Sequence, residues 1–206
     1  MSNPLRRVSG LLALFVLLLA GCATTQLNAV WKDTSYQGRP HKIMVIGVAK
    51  SAVNRRLFED EFVRQLAASG ADAVASYTIL PDNKQNDQPA IAEKVKELGA
   101  DAVLITRLVS RKSSRVYVPG TVYYPPAHYG SWRGYYGQSY QAMYTPGYVA
   151  ESEYAIMETN LYDAGNDKLI WAASSETGLQ GSSKAHIKSY VGIMVRNMVE
   201  QGLLGL

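Results

Sequence analysis

The sequence predicts an α/β sandwich: a mixed sheet of about five strands with helices packed against it. Three observations carry that reading. Ile43-Met44-Val45-Ile46-Gly47-Val48-Ala49 is an unbroken apolar run of strand length, the mark of a strand covered on both faces. Gly70-Ala71-Asp72-Ala73-Val74 returns as Gly99-Ala100-Asp101-Ala102-Val103, each time after a helical stretch and before a strand. The last third of the chain then reads as an antiparallel hairpin followed by an amphipathic helix.

The chain opens with Arg6 and Arg7, the apolar run Leu11 to Leu19, and the small residues Ala20 and Gly21. That is the layout of a signal peptide over residues 1–21. Nine apolar residues are far short of the roughly 20 that a spanning helix needs. Leu19-Ala20-Gly21-Cys22 resembles the bacterial lipoprotein box. The resemblance implies cleavage between Gly21 and Cys22, diacylglycerol on the Cys22 sulfur, and a further fatty acid, such as palmitate, on the new amino group. One acyl chain alone holds a protein only marginally, whereas several anchor it durably. Ala23 follows the cysteine, where an Asp tends to hold such lipoproteins at the inner membrane. The expected location is therefore the outer membrane, on its periplasmic face.

Residues 22–41 read as a lipidated tether, polar and mixed, in which Val30-Trp31 could form a first edge strand or pin the tether down. Residues 42–206 read as one α/β domain. Its first strand, Ile43 to Ala49, leads to a helix from Asn54 to Ser69. Leu57, Phe58, Phe62 and Leu66 form the apolar stripe of that helix, Ser51 or Asn54 its cap, and Gly70 its left-handed end. Strands are expected at Ala73 to Leu80 and Ala102 to Val109, joined by the polar loop Pro81 to Pro89 and a helix from Ala90 to Leu98. The two strand–helix–strand units should be right-handed. If the third strand runs on, Arg107, Arg111 and Arg115 share one face as a basic strip, facing phosphate or lipopolysaccharide, or simply solvent.

Residues 117–148 change composition abruptly. They hold nine of the fourteen tyrosines, five glycines, four prolines, Trp132 and the single charge Arg133. Proline and glycine at this density break regular helix and central strand. Tyrosine offers large contact area with a polar tip. The stretch reads as a binding loop, with Tyr123, Tyr124, Tyr129, Trp132, Tyr135, Tyr136 and Tyr140 as candidate partner-binding residues, as a contact with the bilayer interface or a glycan, or as a poorly ordered insertion between two strands of a hairpin. Beyond this stretch, Ser152 to Asp163 and Leu169 to Ser174 form a hairpin around the turn Asp163 to Asp167, with Trp171 expected in the core. Ser182 or Ser183 caps a last helix from Lys184 to about Gly202.

Composition excludes several roles. Removing Arg6 and Arg7 leaves nineteen basic residues against seventeen acidic ones, so the pI near 9.1 overstates the basicity of a cleaved chain. No clustered positive charge marks a nucleic-acid partner. One cysteine leaves no disulfide. His41, His128 and His186 show no metal-ligand spacing, and no cofactor fingerprint, nucleophile elbow or zinc motif occurs. Asp72 and Asp101 are explained by their helix-to-strand turns. An envelope hydrolase thus has no motif in its support.

The pattern Lys42 to Val48, then Arg55-Arg56-Leu57-Phe58-Glu59, then Gly-Ala-Asp-Ala-Val before strands, is similar to uncharacterised lipoproteins of Gram-negative bacteria. Their α/β domain looks like the N-terminal domain of TolB and the core of the curli secretion lipoprotein CsgG. The resemblance spans about Lys42 to Leu203. It implies a non-enzymatic role in binding envelope partners or in assembly, or membership of a secretion complex. It carries over no catalytic residue.

Overall fold

The computed structural model describes residues 25–120, 133 and 147–205. Within them lie six strands and three α-helices. The strands are β1 (Thr25–Lys32), β2 (Lys42–Val48), β3 (Asp72–Ala75), β4 (Ala102–Val118), β5 (Tyr148–Asp163) and β6 (Leu169–Gly178). The helices are α1 (Ala52–Ala68), α2 (Gln88–Leu98) and α3 (Ser183–Glu200). One mixed sheet runs in the order β1-β6-β5-β4-β2-β3. β2 is parallel to β3 and β4, and the remaining pairings are antiparallel.

The sixth strand is β1, made from what reads in sequence as tether. It pairs with β6 from Thr25↔Thr177 to Lys32↔Trp171. Its two ends are also tied to α3: Thr25 Oγ1 lies 3.1 Å from Ser189 Oγ, and Lys32 Nζ donates to the carbonyl of Gln201 at 2.7 Å.

One face of the sheet carries the main core. Ile43 and Val45 of β2, Leu104 of β4, Leu161 of β5 and Trp171 of β6 face Phe62 and Leu66 of α1 and Tyr190, Met194 and Met198 of α3. Each such side chain contributes about 1.5–3 kcal/mol by leaving water. Trp171 also donates its indole N–H to Asn197 Oδ1 at 3.1 Å, so its polar tip is satisfied inside the core. Met44 points to the other face and is fully buried there. The chain moves outward from β2 to β3 and back past β2 to β4; crossovers of the usual right hand put α1 and α2 on opposite faces.

Both copies of the repeated phrase turn a helix into a strand. Gly70 and Gly99 stand at φ +81° and +65°, the left-handed geometry that ends a helix. Ser51, Asp87 and Ser182 cap the three helices by accepting from Asn54, Ala90 and Ala185 N–H.

Three expectations need correction. The buried stripe of α1 is Arg55, Glu59, Phe62 and Leu66, while Leu57 is 39% exposed. β3 stops at Ala75 and turns into a short 3-10 helix, Ser76–Thr78, because the Glu59 carboxylate takes up both the Ser76 hydroxyl and the Tyr77 N–H. β4 continues to Val118 and β5 starts at Tyr148, so Tyr117 and Tyr148 of the tyrosine-rich stretch are strand residues.

Candidate functional site

The C-terminal end of β2, the middle of β4 from Thr106 to Arg111, and the N-termini of α1 and α3 meet at one end of the main sheet. Between them lies a cleft of about 800 Å³. Open α/β sheets bind ligands in this position, beyond the carboxyl ends of parallel strands. The Gly47 to Ser51 turn forms one rim, Arg111 and Met157 another, and His186 and Tyr190 the side given by α3.

One wall of the cleft is held by a buried polar cluster. Arg55 and Glu59 are both fully buried, with Nε donating to Oε1 at 2.9 Å. Gly47 N–H and the Ser76 hydroxyl donate to the same oxygen, at 2.9 and 2.8 Å. Tyr77 N–H donates to Oε2 at 2.8 Å. The guanidinium spends its remaining nitrogens on Asp82 at 2.9 Å and on Ser76 Oγ at 2.8 Å. Two buried charges are tolerated only when paired and saturated in this way. The cluster joins β2, α1, the 3-10 turn and the Asp82 loop, and it leaves Glu59 no easy route to a substrate proton. Sequence reasoning placed these two residues outside the apolar stripe. The available signal was spacing, since positions 55, 59, 62 and 66 share one helical face.

The floor of the cleft is a second polar cluster. Tyr190 Oη lies 2.8 Å from Thr106 Oγ1 and also hydrogen-bonds Thr159 Oγ1, which in turn donates to Thr106 at 3.0 Å. Burial pushes the Tyr190 phenol up to about 12, against smaller opposing effects of the two threonines. Phe58 and Phe62 meet the Tyr190 ring edge-on, at 5.9 and 6.1 Å. His186 Nε2 is engaged by the carbonyl of Gln180 at 2.6 Å.

Asp72 and Asp101 flank Lys42 from the strands on its two sides, at the opposite end of β2 from the cleft. Asp101 accepts from His41 and Lys42 N–H at 2.8 and 3.0 Å, and Asp72 lies 3.6 Å from Lys42 Nζ. Both carboxylates fasten the start of β2. His41 and His186 are therefore at opposite ends of the sheet. Among the described residues no group of three or more His, Cys, Asp or Glu is placed to hold a metal ion. No helix of the described residues is long and apolar enough to cross a membrane. Cys22, Gly21, His128 and the aromatic candidates Tyr123, Tyr124, Tyr129, Trp132, Tyr135, Tyr136 and Tyr140 lie outside the described residues.

The basic strip does not form. A bulge between Leu108 and Ser110 inserts Val109, so Arg107 pairs with Glu158 while Arg111 pairs with Ala155. An even and an odd partner on β5 lie on opposite faces, as a one-residue bulge requires. Arg107 is bound to Glu158 at 2.6 Å, and Arg115 to Glu151 at 3.1 Å. Asn160 and Arg107 together hold the Glu158 carboxyl below the usual range.

The register fixes where the chain enters. Thr25 pairs with Thr177, Thr177 with Ala155, and Ala155 with Arg111, so the four share one row across the sheet. β1 runs away from the cleft end. Thr25, the first residue of β1, therefore stands at the same end as the cleft and as the outer part of the β4–β5 ribbon.

Comparison with known proteins gives the following. The chain is similar to a PelC dodecamer structure from Paraburkholderia phytofirmans, at 14% identity and a TM-score of 0.46, over 84% of this chain and 94% of that one. It is also similar to lipoprotein GNA1162 from Neisseria meningitidis, at 17% identity and a TM-score of 0.42, over 79% of this chain and 97% of that one. No protein-family model and no curated protein sequence matches it.

Proposed function

We propose that this chain is a lipid-anchored envelope protein that docks a protein partner and carries out no catalysis of its own. Acyl chains on Cys22 hold it to the outer membrane, and the α/β body lies on the periplasmic side. The observation that carries this reading is the spacing between box and fold. Cys22 of Leu19-Ala20-Gly21-Cys22 lies three residues before Thr25, where the first strand begins. Cleavage at Gly21 and acylation of Cys22 would leave all six strands intact. The polar clusters of the cleft support the non-catalytic half, because the oxygens of Glu59 are already spent on neighbouring donors. The resemblance of the Lys42 to Val48 pattern to uncharacterised lipoproteins of Gram-negative bacteria supports the same reading.

The test has two parts. Mass spectrometry of the protein from membranes should find Cys22 at the N-terminus with its sulfur acylated, and a bare sulfur would overturn the anchor. Crosslinking in membranes followed by capture should recover one envelope protein above background, and recovery of none would overturn docking. A second reading, a subunit of a secretion complex resembling curli export, has the long β4–β5 ribbon in its favour. It requires an oligomer, so a monomer on size exclusion in detergent would end it.

A further inference from the structure

Beyond Lys112↔Tyr154, the last row that still reaches β6 at Gly178, β4 and β5 continue as a two-stranded ribbon to Val118↔Tyr148. The seven steps from Arg111 to Val118 span about 24 Å at the usual rise per residue. Cys22 precedes Thr25, which sits in the same row as Arg111, by three residues, or at most about 10 Å of extended chain. The ribbon therefore outreaches the anchor by about 14 Å at the same end of the molecule.

The ribbon is divided along its length. Its inner rungs are charged: Lys112 lies 3.7 Å from Glu176, and Arg115 is paired with Glu151. Its outer rungs, Val116↔Ala150, Tyr117↔Val149 and Val118↔Tyr148, carry no charge. Tyr117 and Tyr148 are 65% and 62% exposed, and Val116 and Val149 are exposed to a similar degree. Exposed apolar area of this kind marks an interaction surface. A charged girdle followed by valine and tyrosine suits the boundary between lipid headgroups and acyl chains, where tyrosine is enriched. Three apolar rungs cover about 10 Å, the depth to which interfacial elements sink, and fall short of the 9–11 residues that a spanning strand needs.

We propose that this outer end of the ribbon is a second membrane contact, seated in the surface of the bilayer that holds Cys22. The choice of bilayer rests on the anchoring reading above. With acyl chains supplying affinity, the ribbon supplies orientation: two contacts at one end stop the domain from tumbling and turn the cleft toward the membrane.

The test uses the full chain reconstituted in vesicles of phosphatidylethanolamine and phosphatidylglycerol. Tyr117→Cys and Val149→Cys place an environment-sensitive NBD fluorophore on the ribbon. Lys168→Cys places it in the exposed turn at the opposite end. Lipids carrying a spin label just below the headgroup should abolish most of the emission at 117 and 149 and leave 168 unchanged. Emission at 117 and 149 that spin-labelled lipid leaves intact overturns the proposal, including the case in which the tip is covered by a second copy or a protein partner. Labelling of the unsubstituted chain reports separately on Cys22, because only a bare sulfur takes the dye. A bare Cys22 with quenched ribbon probes removes the lipid anchor and keeps the ribbon contact. An acylated Cys22 with unquenched probes does the reverse.

Discussion

Arg55 and Glu59 form an ion pair fully shielded from water, one turn apart on α1, with Nε 2.9 Å from Oε1. Removing the Glu59 charge leaves buried Arg55 only the partly exposed Asp82 carboxylate as counter-charge and weakens the acceptor shared by Gly47, Ser76 and Tyr77. Glu59→Gln should therefore cost about 3–5 kcal/mol. Urea denaturation followed by Trp171 fluorescence would measure it. Replacing both together, as Arg55→Met with Glu59→Leu, should recover much of that loss, since no buried charge then remains unpaired. A double variant as unstable as the single one would show that the hydrogen bonds to Gly47, Ser76 and Tyr77 matter more than the charges.

Tyr190 makes stability depend on alkaline pH. Its phenol ionises near 10 in the unfolded chain and at about 12 in the fold. Folded protein therefore holds more protons than unfolded protein between those values, and stability falls as pH rises through that window. Below pH 10 the contribution is fully present. The full shift of two units corresponds to roughly 3 kcal/mol. Unfolding midpoints measured from pH 9 to 12 should decline in the wild type and decline less in Tyr190→Phe. Parallel declines in both would show that another group titrates.

Gly99 isolates a backbone effect. Its φ of +65° is left-handed, and a Cβ built there meets no heavy atom within 4 Å. Gly99→Ala should thus cost about 1 kcal/mol from conformation alone. Gly99→Asn should cost less, because asparagine visits this region more readily. Equal losses for the two would point to a contact rather than to the backbone.

Ala23 tests the expected membrane. If position 23 sorts the lipoprotein to the outer membrane, Ala23→Asp should shift it to the inner membrane fraction on density separation, with the domain still folded. An unchanged distribution would show that sorting is set elsewhere.

Much of this fold was legible because its punctuation is local. The Gly-Ala-Asp-Ala-Val phrase, the apolar β2 and the capping serines each declare themselves within a few residues. What escaped depends on distant partners. Thr25 to Lys32 alternates poorly, and a bulge between Leu27 and Ala29 breaks even that pattern, so only β6 makes it a strand. The Val109 bulge is hidden in an ordinary apolar stretch and reverses the faces of every residue after it. Arg55 and Glu59 fall outside the apolar stripe read from Leu57, Phe58, Phe62 and Leu66, since charge on a helix normally faces water. Only the carboxylate's remaining donors, on β2 and after β3, reveal that they are enclosed. For the candidate site, the sequence pointed to the aromatic residues of 117–148, whereas the cleft is lined by Arg55, Thr106 and Tyr190 among others.

The pairing of β1 with β6 also sets an order of events during synthesis. Thr25 reaches Thr177 across 152 positions of chain, so the first strand to leave the ribosome has no partner until most of the protein exists. Until β6 has been made, Thr25 to Lys32 has no strand to pair with, so this edge of the sheet cannot close before Gly178 is in place.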